Sequence, residues 1–227
     1  MAYEELKTTM KVDSKNQLKD SPAVRFENLD KNGIKVLFVG NSITLHGRKE
    51  DIGWFGDWGM AASSKEKDYA HLMEAQIQKT HPDAQFCICN AAEWEINYKN
   101  GNTTFAKYET AREFDADIIT VKLCENSPLD GFDGDAFKKN FAEFIEFLNK
   151  NEKAQIVVAT AYCDHPANDA IKAYANETGC AFCTLSDMGY QEKFKAIGLF
   201  EHEGVANHPG DLGMQEIADR LMAQIKL

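Results

Sequence analysis

The chain predicts an α/β protein, a three-layer α/β/α sandwich around a central, mostly parallel five-stranded sheet. Three observations carry that prediction. Short apolar runs rich in β-branched residues and cysteine recur near 34–39, 84–89, 117–123, 155–161 and 180–185, as expected of strands buried on both faces. Helical patterns separate them, and strand–helix alternation implies parallel crossovers with helices on both faces of the sheet. Finally, 227 residues suffice for one substantial core, and no composition shift marks a boundary between two.

Residues 1–33 are irregular and rich in Lys, Asp and Asn, and are expected to form an arm packed on the surface. Within it, Ala23-Val24-Arg25-Phe26 after Pro22 hints at an edge strand. The domain proper spans 34–227. After the first strand, residues 46–63 form a long segment rich in Gly and Trp, which is either a functional loop or a folded cover on the sheet edge. From Tyr69 to Ile77 apolar positions recur at three and four residues, the helical period. Phe137, Phe141, Phe144, Ile145 and Leu148 repeat it more strongly, and further helices are expected around 104–113, 167–178 and 211–226.

A net charge of -11 argues against a nucleic-acid surface. No stretch approaches the ~20 apolar residues of a membrane span. The polar N-terminus lacks the apolar core of an export signal, so a cytoplasmic location is expected unless such a signal has been removed. The oligomeric state is not legible. Six cysteines sit mostly in or beside strand-like runs and read as reduced core thiols; Cys180-Ala181-Phe182-Cys183 has no second pair at zinc-site spacing.

In parallel sheets the ligand crevice lies beyond the carboxyl ends of the strands. That edge collects Asn41 and Ser42, then Asn90 to Glu95, then Cys124-Glu125-Asn126-Ser127, then Tyr162-Cys163-Asp164-His165. A hydroxyl after the first strand and an imidazole at His208, ahead of the last helix, are two ingredients of nucleophilic catalysis. Ser42 is the candidate nucleophile and His208 the candidate base; the Ser42 N–H and the Asn126 amide are candidate oxyanion donors. Either residue alone has an ordinary explanation, a turn cap for Ser42 and a polar loop residue for His208.

These residues resemble the SGNH (GDSL-like) hydrolases. Gly40-Asn41-Ser42-Ile43-Thr44 is similar to the family's nucleophile block, Glu125-Asn126 to its oxyanion-hole block, and His208-Pro209-Gly210-Asp211 with Gly213-Met214 to its block for the base. The resemblance covers 34–227 and implies a flavodoxin-like domain acting as an esterase, lipase, thioesterase or carbohydrate deacetylase. It implies small O-acyl esters, acetyl groups on carbohydrate among them, as substrates.

Two departures bear on mechanism. Where the family usually has an Asp three residues before the base, this chain has Val205. Glu203, then Glu201, are candidate replacements, but a backbone carbonyl within Val205-Ala206 is the slightly favoured partner for the imidazole. A carbonyl orients the ring without a full charge, which predicts a slower enzyme with a less elevated His pKa. The second block lacks the family's Gly, leaving the N–H of Ala92, Glu93 or Trp94 to complete the oxyanion hole.

Candidate substrate-binding residues are Trp54 and Trp58 in the long loop and Trp94 with Glu93 after the second strand; each Trp reads equally well as packing. His165, His202 and His208 match no usual ligand spacing, so neither a catalytic metal nor a cofactor is expected. The reading is a serine esterase with Ser42, His208, Asn126 and Glu203 as its candidate catalytic residues. The alternative is a weak or inactive relative that binds a carbohydrate or other small ligand.

Overall fold

Why the crevice falls where it does follows from the strand order of the computed structural model, which describes residues 18–227. Six strands form one sheet: β1 (Val24–Glu27), β2 (Lys35–Gly40), β3 (Gln85–Asn90), β4 (Ile118–Lys122), β5 (Gln155–Ala159) and β6 (Ala181–Cys183). Their order is β1-β3-β2-β4-β5-β6. All neighbours are parallel except β1, which runs antiparallel to β3 with Val24 opposite Cys89.

The sheet therefore has six strands where five were expected. The sixth comes from the N-terminal arm, whose residues 1–17 lie outside the described residues. Val24 is fully buried and the Ser21 hydroxyl accepts from its N–H, so this part of the arm belongs to the sheet rather than lying over it.

The chain moves from β2 outward to β3, then returns to place β4 on the other side of β2. This reversal opens a crevice between the carboxyl ends of β2 and β4, the usual ligand position in such sheets.

Helices α1 (Tyr69–Gln78), α2 (Ala92–Ile96), α3 (Glu109–Glu113), α4 (Gly134–Leu148), α5 (Ala167–Thr178), α6 (Glu203–Ala206) and α7 (Asp211–Met222) complete the layers. Residues 98–108, expected to be partly helical, form 3-10 turns kinked at Gly101, where φ is 60°. On one face α4, α5 and the 92–114 segment bury Phe137, Phe141, Phe144 and Tyr174. On the other, α1 and α7 bury Met73, Ile77, Ile217 and Leu221. The long helices α1, α4, α5 and α7 place their apolar residues three and four apart, so one stripe of each meets the sheet.

Candidate active site

Strand β2 ends in Gly40, and no other residue fits there: a Cβ would lie 1.8 Å from Thr44 Oγ1 and 3.0 Å from the Lys122 carbonyl. The chain then turns sharply. The Asn41 carbonyl accepts from the N–H groups of Thr44 and Leu45, and its side-chain oxygen accepts from Ile43 N–H at 3.1 Å. The Ser42 carbonyl accepts from Met60 N–H at 2.8 Å, which fixes the candidate nucleophile to the long loop. Among the described residues, nothing accepts from Ser42 N–H.

His208 reaches this turn from the far end of the chain. Its backbone is stitched to residues 194–196: Ala196 N–H donates to the His208 carbonyl and Gly210 N–H to the Phe194 carbonyl, both at 2.9 Å. Asp211 accepts from Ser63 N–H and hydroxyl, at 2.8 and 2.7 Å, tying α7 to the end of the long loop. The result is a contact of 2.8 Å between Ser42 Oγ and His208 Nε2.

On the other side of the ring, His208 Nδ1 lies 2.7 Å from the Gly204 carbonyl oxygen. As Nδ1–H it donates there, leaving Nε2 free to accept the serine proton. The partner is thus a backbone carbonyl, one residue earlier than the Val205-Ala206 span. Glu203, expected as the alternative, and Glu201 are exposed; the Glu203 carbonyl caps Asn207 instead. Val205 is buried with Trp54, Met60, Ala61 and Ala196, and borders the cavity beside His208 without reaching the ring's Nδ1. Burial pushes the His208 pKa down, and the Gly204 carbonyl only partly opposes it.

Below Ser42 lies a buried polar layer. The Asn41 amide donates to Glu95 Oε1 at 2.9 Å and to Glu125 Oε2 at 2.6 Å, bridging two carboxylates. Glu95 also accepts from Cys124 N–H and, at 2.5 Å, from Asn126 Nδ2. Glu125 pairs with the buried Lys122 and accepts from Tyr162 N–H at 2.8 Å. Burial opposes charge on both, yet Lys122 holds the Glu125 carboxyl below the usual carboxylate range. Glu95 has no such cation; burial, then repulsion from Glu125, push its pKa up to about 7.

The turn carrying Asn126 is strained, with Cys124 at φ 123°, a region that disfavours side chains. A carboxylate can only accept, so Glu95 dictates which end of the Asn126 amide is nitrogen. One N–H goes to Glu95; the second remains for a ligand.

Two cavities flank the pair, about 300 Å³ and 310 Å³, and Ser42, Asn126, Gly204 and His208 border both. Tyr162, Cys163 and Gly189 wall the first; His46, Ile52 and Met60 wall the second.

None of the expected substrate-binding residues borders either cavity. Trp94 is fully buried and stacks on Phe144 with centroids 5.0 Å apart. Trp54 packs edge-on against Trp58 at 5.6 Å, and their indole N–H groups donate to the His46 and Ala62 carbonyls. The two Trp therefore fold the long loop over the sheet edge, while His46, Ile52 and Met60 of the same loop wall the second cavity. Glu93 is an exposed partner of Lys107. Of the second-block donors, Ala92 N–H is spent on Asn90 Oδ1 and Trp94 N–H on the Tyr108 hydroxyl, leaving Glu93 N–H.

His165 contacts the Ser127 carbonyl and His202 caps α6, so the histidines do not converge. Glu95 and Gly204 were not singled out by sequence. Glu95 had a weak signal, an acid five residues past a buried strand; a carbonyl has none.

Comparison with known proteins bears on the fold alone. No protein-family model and no curated protein sequence matches the chain. Among solved structures, it is similar to the psychrotrophic esterase EstA from Pseudoalteromonas sp. (TM-score 0.50, 12% identity, covering 84% of this chain and 95% of that one). A lipolytic protein of the G-D-S-L family from Veillonella parvula matches at TM-score 0.50 and 16% identity, covering 84% and 97%. The fold is that of the SGNH hydrolases. A third match, a two-domain esterase active on acetylated mannans, has TM-score 0.52 and 16% identity; the match covers 84% of this chain and 48% of that protein. In this SGNH fold the crevice between β2 and β4 is where Ser42, His208 and Asn126 meet.

Proposed function

We propose that the chain is a serine esterase that hydrolyses small O-acyl esters through an acyl-enzyme on Ser42. The observation that carries this reading is the alignment of Ser42 Oγ, His208 Nε2 and the Gly204 carbonyl, at 2.8 and 2.7 Å, beside the Asn126 amide. His208 takes the Ser42 proton as Oγ attacks the ester carbonyl. The Ser42 N–H and the second Asn126 N–H receive the developing oxyanion, with Glu93 N–H the remaining second-block candidate. His208 then protonates the leaving alcohol, and water, activated by the same imidazole, releases the acid.

Cavities of about 300 Å³ suit a short acyl group and part of its alcohol. The resemblance to an esterase active on acetylated mannans supports acetylated carbohydrate as the substrate class. The rival, an inactive ligand-binding relative, draws its support from Val205 and from the missing second-block Gly. Against the first, the Gly204 carbonyl supplies the orientation that an acid would have given, and against the second, Glu93 N–H has no partner among the described residues.

Hydrolysis of p-nitrophenyl acetate by wild type and Ser42→Ala, with fluorophosphonate labelling, tests the reading. Turnover and a Ser42 adduct, both lost in Ser42→Ala, are expected. A folded wild type with neither would overturn it.

A further inference from the structure

Away from the crevice, a second cluster of polar side chains joins the edge strand to the first helix. We propose that Glu27, His71 and Glu74 form a divalent-cation site that clamps β1 to α1. Their ligating atoms all lie within 4.8 Å of one another. His71 and Glu74 are three residues apart on α1 and share one face; Glu27 ends β1.

Three observations point to a cation. First, His71 Nδ1 is 2.7 Å from Asp68 Oδ1, and Asp68 is fully buried. A carboxylate at that nitrogen places the proton on Nδ1 and turns the Nε2 lone pair outward, as behind histidines that bind metals. Second, Nε2 lies 3.2 Å from Glu27 Oε1, a contact that a second ring proton bridges without metal and that a bound cation would take over.

Third, Glu74 is only 6% exposed, its Oε1 is buried without a partner, and no described residue donates to either of its oxygens. A buried carboxylate so placed is costly unless neutralised.

Among the described residues, Lys65 is the ammonium at this cluster, and Arg25 borders the adjoining cavity, where it pairs with Asp57. Lys65 contacts Glu27 Oε1 at 2.5 Å, but its side chain is 45% exposed, so it can withdraw without a core rearrangement. A cavity of about 370 Å³, bordered by Glu27, His71 and Asp57, leaves room for a water as a further ligand. One imidazole and two carboxylates suit zinc or manganese. Bonds of about 2.0–2.2 Å ask the outer ligands to close by roughly 1 Å.

The test uses the full chain, dialysed against EDTA and titrated calorimetrically with zinc chloride or manganese chloride, with thermal melts alongside. One ion per chain should bind, raising Tm by about 5–10 °C at a hundredfold excess over Kd. Glu74→Gln and, should that variant fold poorly, the more exposed Glu27→Gln should each weaken binding at least tenfold. His208→Ala should leave binding unchanged, which separates this site from the crevice. No saturable binding at 100 µM of either metal, or equal binding by the Glu74 and Glu27 variants, would overturn the proposal and leave an ion-pair cluster with a protonated Glu74. Neither outcome touches the esterase reading.

Discussion

The Gly204 carbonyl stands 2.7 Å from His208 Nδ1, where a charged acid would stand in a full triad. It belongs to α6, a helix of four residues whose carbonyls lack a following turn to donate to them. Because His208 N–H bonds to the Val205 carbonyl, the Gly204 oxygen is left for the ring. A local backbone feature therefore replaces a side chain.

Glu203→Gln should accordingly leave kcat/KM for p-nitrophenyl acetate within about twofold of wild type. Its carboxylate is exposed and has no role at the ring. A loss of tenfold or more, about 1.4 kcal/mol, would return the orienting role to Glu203.

Placing an acid at 205, where SGNH hydrolases usually have an Asp, should fail. Val205 is fully buried against Trp54 and Met60, so Val205→Asp places an unpaired carboxylate among apolar atoms. The cost is on the order of several kcal/mol, and Tm should fall by roughly 10 °C with no gain in kcat. A faster enzyme of unchanged Tm would contradict the buried placement.

Asn126→Ala removes the proposed oxyanion donor and should lower kcat by about 10²- to 10³-fold with little change in KM. An equal rise in KM without loss of kcat would assign Asn126 to ground-state binding.

The fold and the site were legible to different depths. Periodicity placed the five parallel strands and the long helices, because buried strands and helical stripes write themselves into residue order. Val24 to Glu27 showed only as a hint of an edge strand, since a four-residue strand with one fully buried position leaves little pattern. Ser42, Asn126 and His208 were legible because each follows a strand or precedes a helix at a motif. Trp54 and Trp94 were not placed, since an aromatic suits a core and a pocket wall equally. The Gly204 carbonyl could not be singled out, since every residue has the same carbonyl to offer.

The pH dependence follows from two groups shifted in opposite directions. In the proposed reaction His208 acts as a neutral base, and burial lowers its pKa, so its limb of activity should lie below the ordinary histidine range. Glu95 is raised to about 7; below that pH it gains a proton and can donate where it must accept from Asn126. The wild-type kcat/KM should therefore still be rising near pH 7, later than His208 alone dictates. Glu95→Gln removes that ionisation. At pH 8 it should lose about tenfold in rate, because an amide orients Asn126 less firmly than a carboxylate. Its remaining acid limb should move to lower pH, toward the His208 value. Stability supplies a second readout. A carboxyl whose pKa is raised on folding favours the folded state least above its folded pKa, so wild type loses stability as pH rises from about 4.5 through 7. The Gln variant lacks that loss, and its Tm relative to wild type should be higher at pH 8 than at pH 5. Parallel acid limbs in the two proteins, with a pH-independent difference in Tm, would show that Glu95 does not titrate in this range.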